Sequence, residues 1–231
     1  MSKTVRLILP PALISLAMTL LRLFGELGHW SDRWFEPVTR GILPSMTGWV
    51  FGITWLAVPF GIYFALRLNR CNLGPRSITQ AVAAGLIGLC ILTLALYLVV
   101  PQLNVKFQIA QKSFLLYLVL IWSSMAIAVV PITWAWPALS KTLAAYGLAS
   151  RIPVAVVMFF AMRGNWGTHY DYVDIPQFQA IPFWERFITT AFIPQLIFWV
   201  AFTVMIGGLA GSLAAAVVRG RAQAAPATSP L

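Results

Sequence analysis

The sequence predicts an all-α integral membrane bundle of about six transmembrane helices, with five plus a re-entrant segment as the alternative. Three observations carry this expectation. The chain is 60% hydrophobic and only 10% charged, against about 25% charged for an ordinary soluble domain. Its mean hydropathy is +0.82. The apolar residues fall in blocks of about twenty rather than in strand-like alternation, and such a block carries a helix across a hydrocarbon core of ~30 Å. An unpaired backbone amide costs several kcal/mol in lipid, so each block must close its own hydrogen bonds as a helix.

The blocks place spans at approximately 7–24, 48–68, 78–100, 113–133, 138–162 and 188–218. Together they make a single transmembrane domain over 1–218, followed by a disordered C-terminal tail over 219–231. The first span opens with Pro10 and Pro11, which are tolerated in a first turn where amide hydrogens lack partners. No small-x-small cleavage site ends it, so the segment is expected to stay as a helix. Pro59 marks a kink in the second span, and Pro101 stops the third. The fifth is the ambiguous one. Its uninterrupted apolar run, Ile152 to Met162, is too short to cross alone, and the stretch as a whole contains Lys141, Arg151 and Pro153. Either one kinked helix crosses with Arg151 near its middle, or a surface segment precedes a re-entrant piece. The last span is longer than a bilayer needs and is interrupted at Pro194.

A net charge of +10 raises the question of nucleic acid, but the basic residues are scattered between apolar blocks and form no continuous stripe. They read as topology signals, and no nucleic-acid partner is expected. Lys3 and Arg6, with the short Arg67 to Arg76 loop, place both termini in the cytoplasm of a bacterial inner membrane. All six acids, Glu26, Asp32, Glu36, Asp171, Asp174 and Glu185, then fall in the first and fifth loops on the outer face, together with His29 and His169. Cys71 and Cys90 form no metal or disulfide pattern.

The spans contain no Asp, Glu or His, which argues against a carboxylate proton relay. Zinc-helix, nucleophile-elbow, phosphate-loop and CxxC signatures are also missing. Four features remain. In the first loop Glu26, His29, Arg33 and Glu36 recur at helical spacing beside Leu27, Trp30 and Trp34, as in an interfacial helix ended by Pro37. The fifth loop, with Trp166, Tyr170 and Tyr172, suits an interfacial aromatic belt. Its His169-x-Asp171 could instead supply a general base or metal ligands. Arg151, buried among apolar residues with no acid in any span, is the candidate ligand-binding residue. The fourth feature is the row Gly207, Gly211 and Ala215, with Ala81, Ala84, Gly85 and Gly88 at similar spacing in the third span. These small residues predict close helix packing, within the bundle or across a homo-oligomer.

The leading expectation is a non-catalytic, permease-like bundle or an accessory subunit of a membrane complex, with the lipid bilayer and other membrane subunits as partners. The alternative is a membrane-embedded enzyme whose outer face carries a His/carboxylate site. His29, His169 and Asp171 are its catalytic candidates, and Glu26, His29, Asp32, His169 and Asp171 are candidate ligands should it hold a metal. No cofactor is identifiable from the residues.

Overall fold

The structure, a computed structural model, describes residues 3–35, 52–106, 111–171 and 181–224. Every element within them is helical. In order they are α1 (Lys3–Leu27), the single turn α2 (Asp32–Phe35), α3 (Ala57–Arg70), α4 (Ile78–Lys106), α5 (Gln111–Ala128), α6 (Val130–Ala135) and α7 (Pro137–Gly164). A 3-10 turn (His169–Asp171) follows, then α8 (Phe183–Arg186), two π-helical stretches (Phe187–Phe192 and Pro194–Phe198) and α9 (Trp199–Ala224). From Phe183 to Gly220 these last elements form one rod of 38 residues. Four segments are long and apolar enough to cross a membrane: Thr4–Leu27, Ile78–Leu98, Pro137–Gly164 and Phe183–Gly220. Val119–Ala135 is a shorter apolar helix.

Several boundaries differ from the sequence expectation, each for a local reason. Helix α1 begins at Lys3, so Pro10 and Pro11 lie inside it and leave the carbonyls of Arg6 and Leu7 without their usual partners. The 48–68 span is helical only from Ala57, and residues 36–51 lie outside the described part. Pro59 therefore falls in the first turn of α3, where its missing N–H costs nothing, and makes no kink. The 113–133 span breaks at Val129, with Pro131 in the first turn of α6. The disputed 138–162 stretch is one continuous helix, α7, of 28 residues with Pro153 inside it, about 42 Å long at 1.5 Å per residue. Arg151 sits near its midpoint. The expected tail is helical as far as Ala224, and 225–231 lie outside the described residues.

Long helices consecutive in sequence run antiparallel, and the contacts at their ends show it. Arg6, Leu7, Tyr63, Arg67, Arg70 and Thr142 surround one crevice. Nearby, Trp136 Nε1 donates to the Leu73 carbonyl at 2.8 Å and Arg219 Nη2 donates to Asn69 Oδ1 at 3.3 Å. The starts of α1 and α7 and the ends of α3 and α9 thus share a basic end. At the opposite end α1 finishes beside the 3-10 turn, where Glu26 meets His169, and Arg186 Nη2 donates to the Met162 carbonyl near the end of α7. That places a cation where the helix dipole is negative.

The distribution of polarity is inverted relative to a water-soluble bundle. Leu13, Leu94, Phe160 and Val217 are each more than half exposed, whereas Ser15, Thr19, Arg151 and Gln195 are buried. Exposed Trp30, Trp55, Trp166 and Trp184 mark the acidic end, and Trp134 the basic end. Rings of this kind are favoured at a membrane interface.

Helix α9 lies against α3, α4 and α7, and small residues set the distances. A Cβ on Gly211 would come within 2.7 Å of the Gly61 carbonyl oxygen and 2.8 Å of Ala65 Cβ, and one on Gly61 would collide with the backbone of Gly207. Gly85 faces Leu209 in the same way, and Gly88 faces the Ala128 carbonyl. Ala215 is fully buried in the core cluster formed by Phe64, Leu139, Leu143 and Tyr146. The Gly207/Gly211/Ala215 row is therefore covered within the chain, chiefly by α3. Replacing Gly211 by Leu should destabilise the detergent-solubilised protein by about 1–3 kcal/mol, because the added bulk meets the Gly61 backbone and Ala65 first, and Leu139 just beyond. Val217, 55% exposed, is the matching control: Val217→Leu should leave the thermal unfolding midpoint unchanged. Val200 would make a poor control, being 9% exposed and packed on Gly147.

Candidate functional site

Three segments, two of them departing from α-helical geometry, converge on one region. The first is the segment Gly52 to Leu56, which leads into α3 without being helical. The second is the middle of α7, and the third is the π-helical part of the final rod. Pro194 has no N–H, and its ring would clash with the carbonyl four residues back. The rod widens there: Ile193 N–H bonds to Ile188 O, and Trp199 N–H to Pro194 O, each five residues apart. Such turns rotate the following side chains away from the ordinary helical register and are frequent at functional sites.

Between these segments lies a cavity of about 220 Å³, lined by residues that include Thr19, Thr54, Arg151, His169, Gln195 and Trp199. Arg151 is its most buried charge, at 5% exposure. Its Nη1 donates to Gln195 Oε1 at 3.3 Å and its Nη2 to Thr54 Oγ1 at 3.2 Å, while its guanidinium carbon lies 4.8 Å from the centre of the Trp199 ring. Both hydrogen bonds are long and both acceptors are neutral. Gln195 Nε2 is turned to Met158 Sδ at 3.4 Å, which orients its carbonyl oxygen toward Arg151. Among the described residues Arg151 Nε has no hydrogen-bond partner.

A second cluster adjoins the first. Glu26 is 2% exposed, and its carboxylate accepts from Arg22 Nε at 2.8 Å, from the His169 backbone N–H at 3.0 Å and from His169 Nδ1 at 2.8 Å. An ionised carboxylate in contact with Nδ1 requires the proton on that nitrogen. Tyr170 Oη donates to the Thr19 carbonyl at 3.1 Å. Burial pushes the Tyr170 phenol above its ordinary value, with the nearby cations Arg22 and Arg151 opposing, so this hydroxyl remains a donor throughout the physiological range. Two loops far apart in sequence are thereby tied together at the acidic end.

The predicted site residues divide accordingly. Glu26 and His169 meet, and Arg151 and His169 line one cavity. His29 is exposed in a left-handed turn (φ 47°) just beyond α1. Asp171 is buried, and its carboxylate accepts from the backbone of Gly167 and Thr168 and from the Thr168 hydroxyl, a local cap that shapes the turn. Asp32 begins α2. Among the described residues no three His, Cys, Asp or Glu side chains stand together as metal ligands would. Cys71 and Cys90 are both free and exposed.

Thr54, Gln195 and Trp199 were missed by the sequence reading. Gln195 alone left a trace, as a lone amide beside a proline within the last apolar block.

No protein-family model, curated protein or solved structure matches the chain.

The Glu26 cluster should contribute measurably to stability. Removing one partner of a buried charged group leaves the others uncompensated, at about 3–5 kcal/mol. Glu26→Gln should therefore lower the thermal unfolding midpoint by roughly 10 °C. Asp32→Asn, at the start of the separate turn α2, should leave that midpoint unchanged.

Proposed function

We propose that the chain is a polytopic membrane protein of six crossings with cytoplasmic termini, acting as a non-catalytic, permease-like bundle built around an internal polar binding chamber. The observation that carries this reading is the cavity at Arg151. A charged side chain within an apolar bundle costs about 2.5–3.5 kcal/mol on insertion scales, and such residues generally face a ligand or ion pathway. A non-helical segment, a π-helical stretch and the middle of α7 supply its walls, whereas a purely structural arginine needs only a carboxylate partner. The antiparallel order of the helices, the apolar exterior and the basic and acidic ends support six crossings. In this arrangement α3 lies in the second crossing, and α5 and α6 together make the fourth. The basic end faces the cytoplasm by the positive-inside rule.

A second reading, a membrane-embedded enzyme, draws on one observation: the Glu26–His169 pair borders the same cavity, an arrangement used elsewhere to orient an imidazole for proton transfer. Purified protein carrying stoichiometric zinc, manganese or iron, or a ligand converted only when His169 is intact, would favour it over the binding role.

Topology is tested by cysteine labelling with a membrane-impermeant reagent, starting from a variant with Cys71 and Cys90 replaced by Ser. Single cysteines at Ser31 and Trp166 should label in intact cells, and one at Ser229 only after permeabilisation. Trp166 is preferred to its neighbour Thr168, which is 1% exposed and would stay unreactive on either side. Labelling of only one of the two outer positions removes the crossing assigned to α7.

A further inference from the structure

We infer that the chamber at Arg151 binds a small, singly charged oxyanion, a carboxylate or a singly ionised phosphate, through the guanidinium Nε. The inference rests on the binding reading above and names the chemistry of its ligand. Charge accounting supplies the first argument. The chamber is lined by two arginines, Arg22 and Arg151, and among the described residues by no carboxylate. The Arg22 charge is met by Glu26 at 2.8 Å, and the same carboxylate also serves His169. Among the described residues Arg151 has only the oxygens of Gln195 and Thr54, so one positive charge is left over on a side chain that is buried. A buried cation without its counter-charge is costly, and a bound monoanion restores neutrality with a single unit of charge.

Hydrogen bonding points the same way. A guanidinium presents five N–H donors in a fixed plane, and its edge bearing Nε and one Nη matches the two oxygens of a carboxylate or phosphate. Here the Nε of that edge has no partner among the described residues while the side chain is 5% exposed. Gln195 and Trp199 fix the plane of the group, so the donor is held ready before any ligand arrives.

Size and wall chemistry narrow the class. A volume of about 220 Å³ corresponds to roughly seven waters at ~30 Å³ each, which suits a small organic acid or one lipid headgroup. Ile53, Val154 and Met158 contribute apolar wall, so the anion carries an organic part.

The test uses the full chain in a neutral maltoside detergent at about pH 5, where phosphate monoesters carry roughly one charge, and reads thermal unfolding against benzoate, phenyl phosphate and lysophosphatidate, with benzyl alcohol as the uncharged control. At least one anion should raise the wild-type midpoint by about 5 °C at saturation, and benzyl alcohol should not. A response to benzoate or phenyl phosphate identifies a water-borne ligand, and a response to lysophosphatidate alone identifies a lipid headgroup. Arg151→Met should abolish the shift while being at least as stable as wild type without anion, because it removes an uncompensated charge. Arg151→Lys keeps the charge but lacks the Nε donor, and its affinity should fall at least about tenfold. The proposal is overturned if no anion shifts the wild type, if the shift survives in Arg151→Met, or if Arg151→Lys binds as wild type does. Such a failure alongside the expected cysteine-labelling pattern removes the anion and leaves the six-crossing bundle standing.

Discussion

The close approach of α3 and α9 is the constraint on which the remaining architecture depends. Gly61, Gly207 and Gly211 let two backbones pass at a distance that any Cβ would forbid. With no hydrophobic force between helices in lipid, contacts of this kind provide dispersion energy that larger residues would forfeit. Because α9 also touches α4 and α7, its position propagates outward. Leu139 and Leu143 of α7 pack on Gly211 and Gly207, which fixes the lower half of α7 and with it the height of Arg151. The same contact holds α3 where Thr54, two residues before Leu56 at its N-cap, reaches the guanidinium. The chamber is thus a by-product of glycine packing some distance away.

Arg22 and Arg151, both buried in one bundle, meet different solutions to the same problem. Arg22 is answered one turn later on its own helix, by Glu26, a local pairing that needs little from the tertiary fold. The pair then acquires a tertiary role, since Glu26 spends its remaining acceptor capacity on His169 and fastens the 3-10 turn to α1. Arg151 is answered by neutral dipoles from two other elements and by an aromatic face. Neutral acceptors give a guanidinium direction without cancelling its charge, so the first arrangement closes a structural junction and the second leaves a site unfinished.

The sequence disclosed what depends on composition and local spacing. All-helical architecture followed from block length. Close packing at Gly207 and Gly211 followed from small residues repeating every four positions. It could not disclose which helix covers that row, because α3 and α4 both offer small residues. Nor could it place the chamber, whose walls come from residues as distant as Thr19, Thr54 and Gln195. Prolines were read well in kind and poorly in effect: Pro59 is harmless because α3 starts late, and Pro10 and Pro11 are interior because α1 starts early. His29 and His169 looked equivalent by composition. One sits in an exposed left-handed turn and the other on a buried carboxylate, a difference that only the meeting of two loops creates.

The wide turns around Pro194 amount to surplus residues held within the rod. A π-turn advances the chain by one residue without a matching advance in the hydrogen-bond ladder, so the stretch before Pro194 and the stretch after Trp199 follow separate registers. The upper register aims Phe187 and Ala191 at the core beside Met158 and Met162, and the lower one aims Gly207 and Gly211 at α3. Gln195 stands at the seam between them. Loss of a single residue there would close one of the two wide stretches and rotate everything on one side by about 100°, leaving hydropathy, length and composition almost untouched. Chains with the same apolar profile but a different residue count between Pro194 and Gly207 would therefore share this bundle's outline without sharing its chamber.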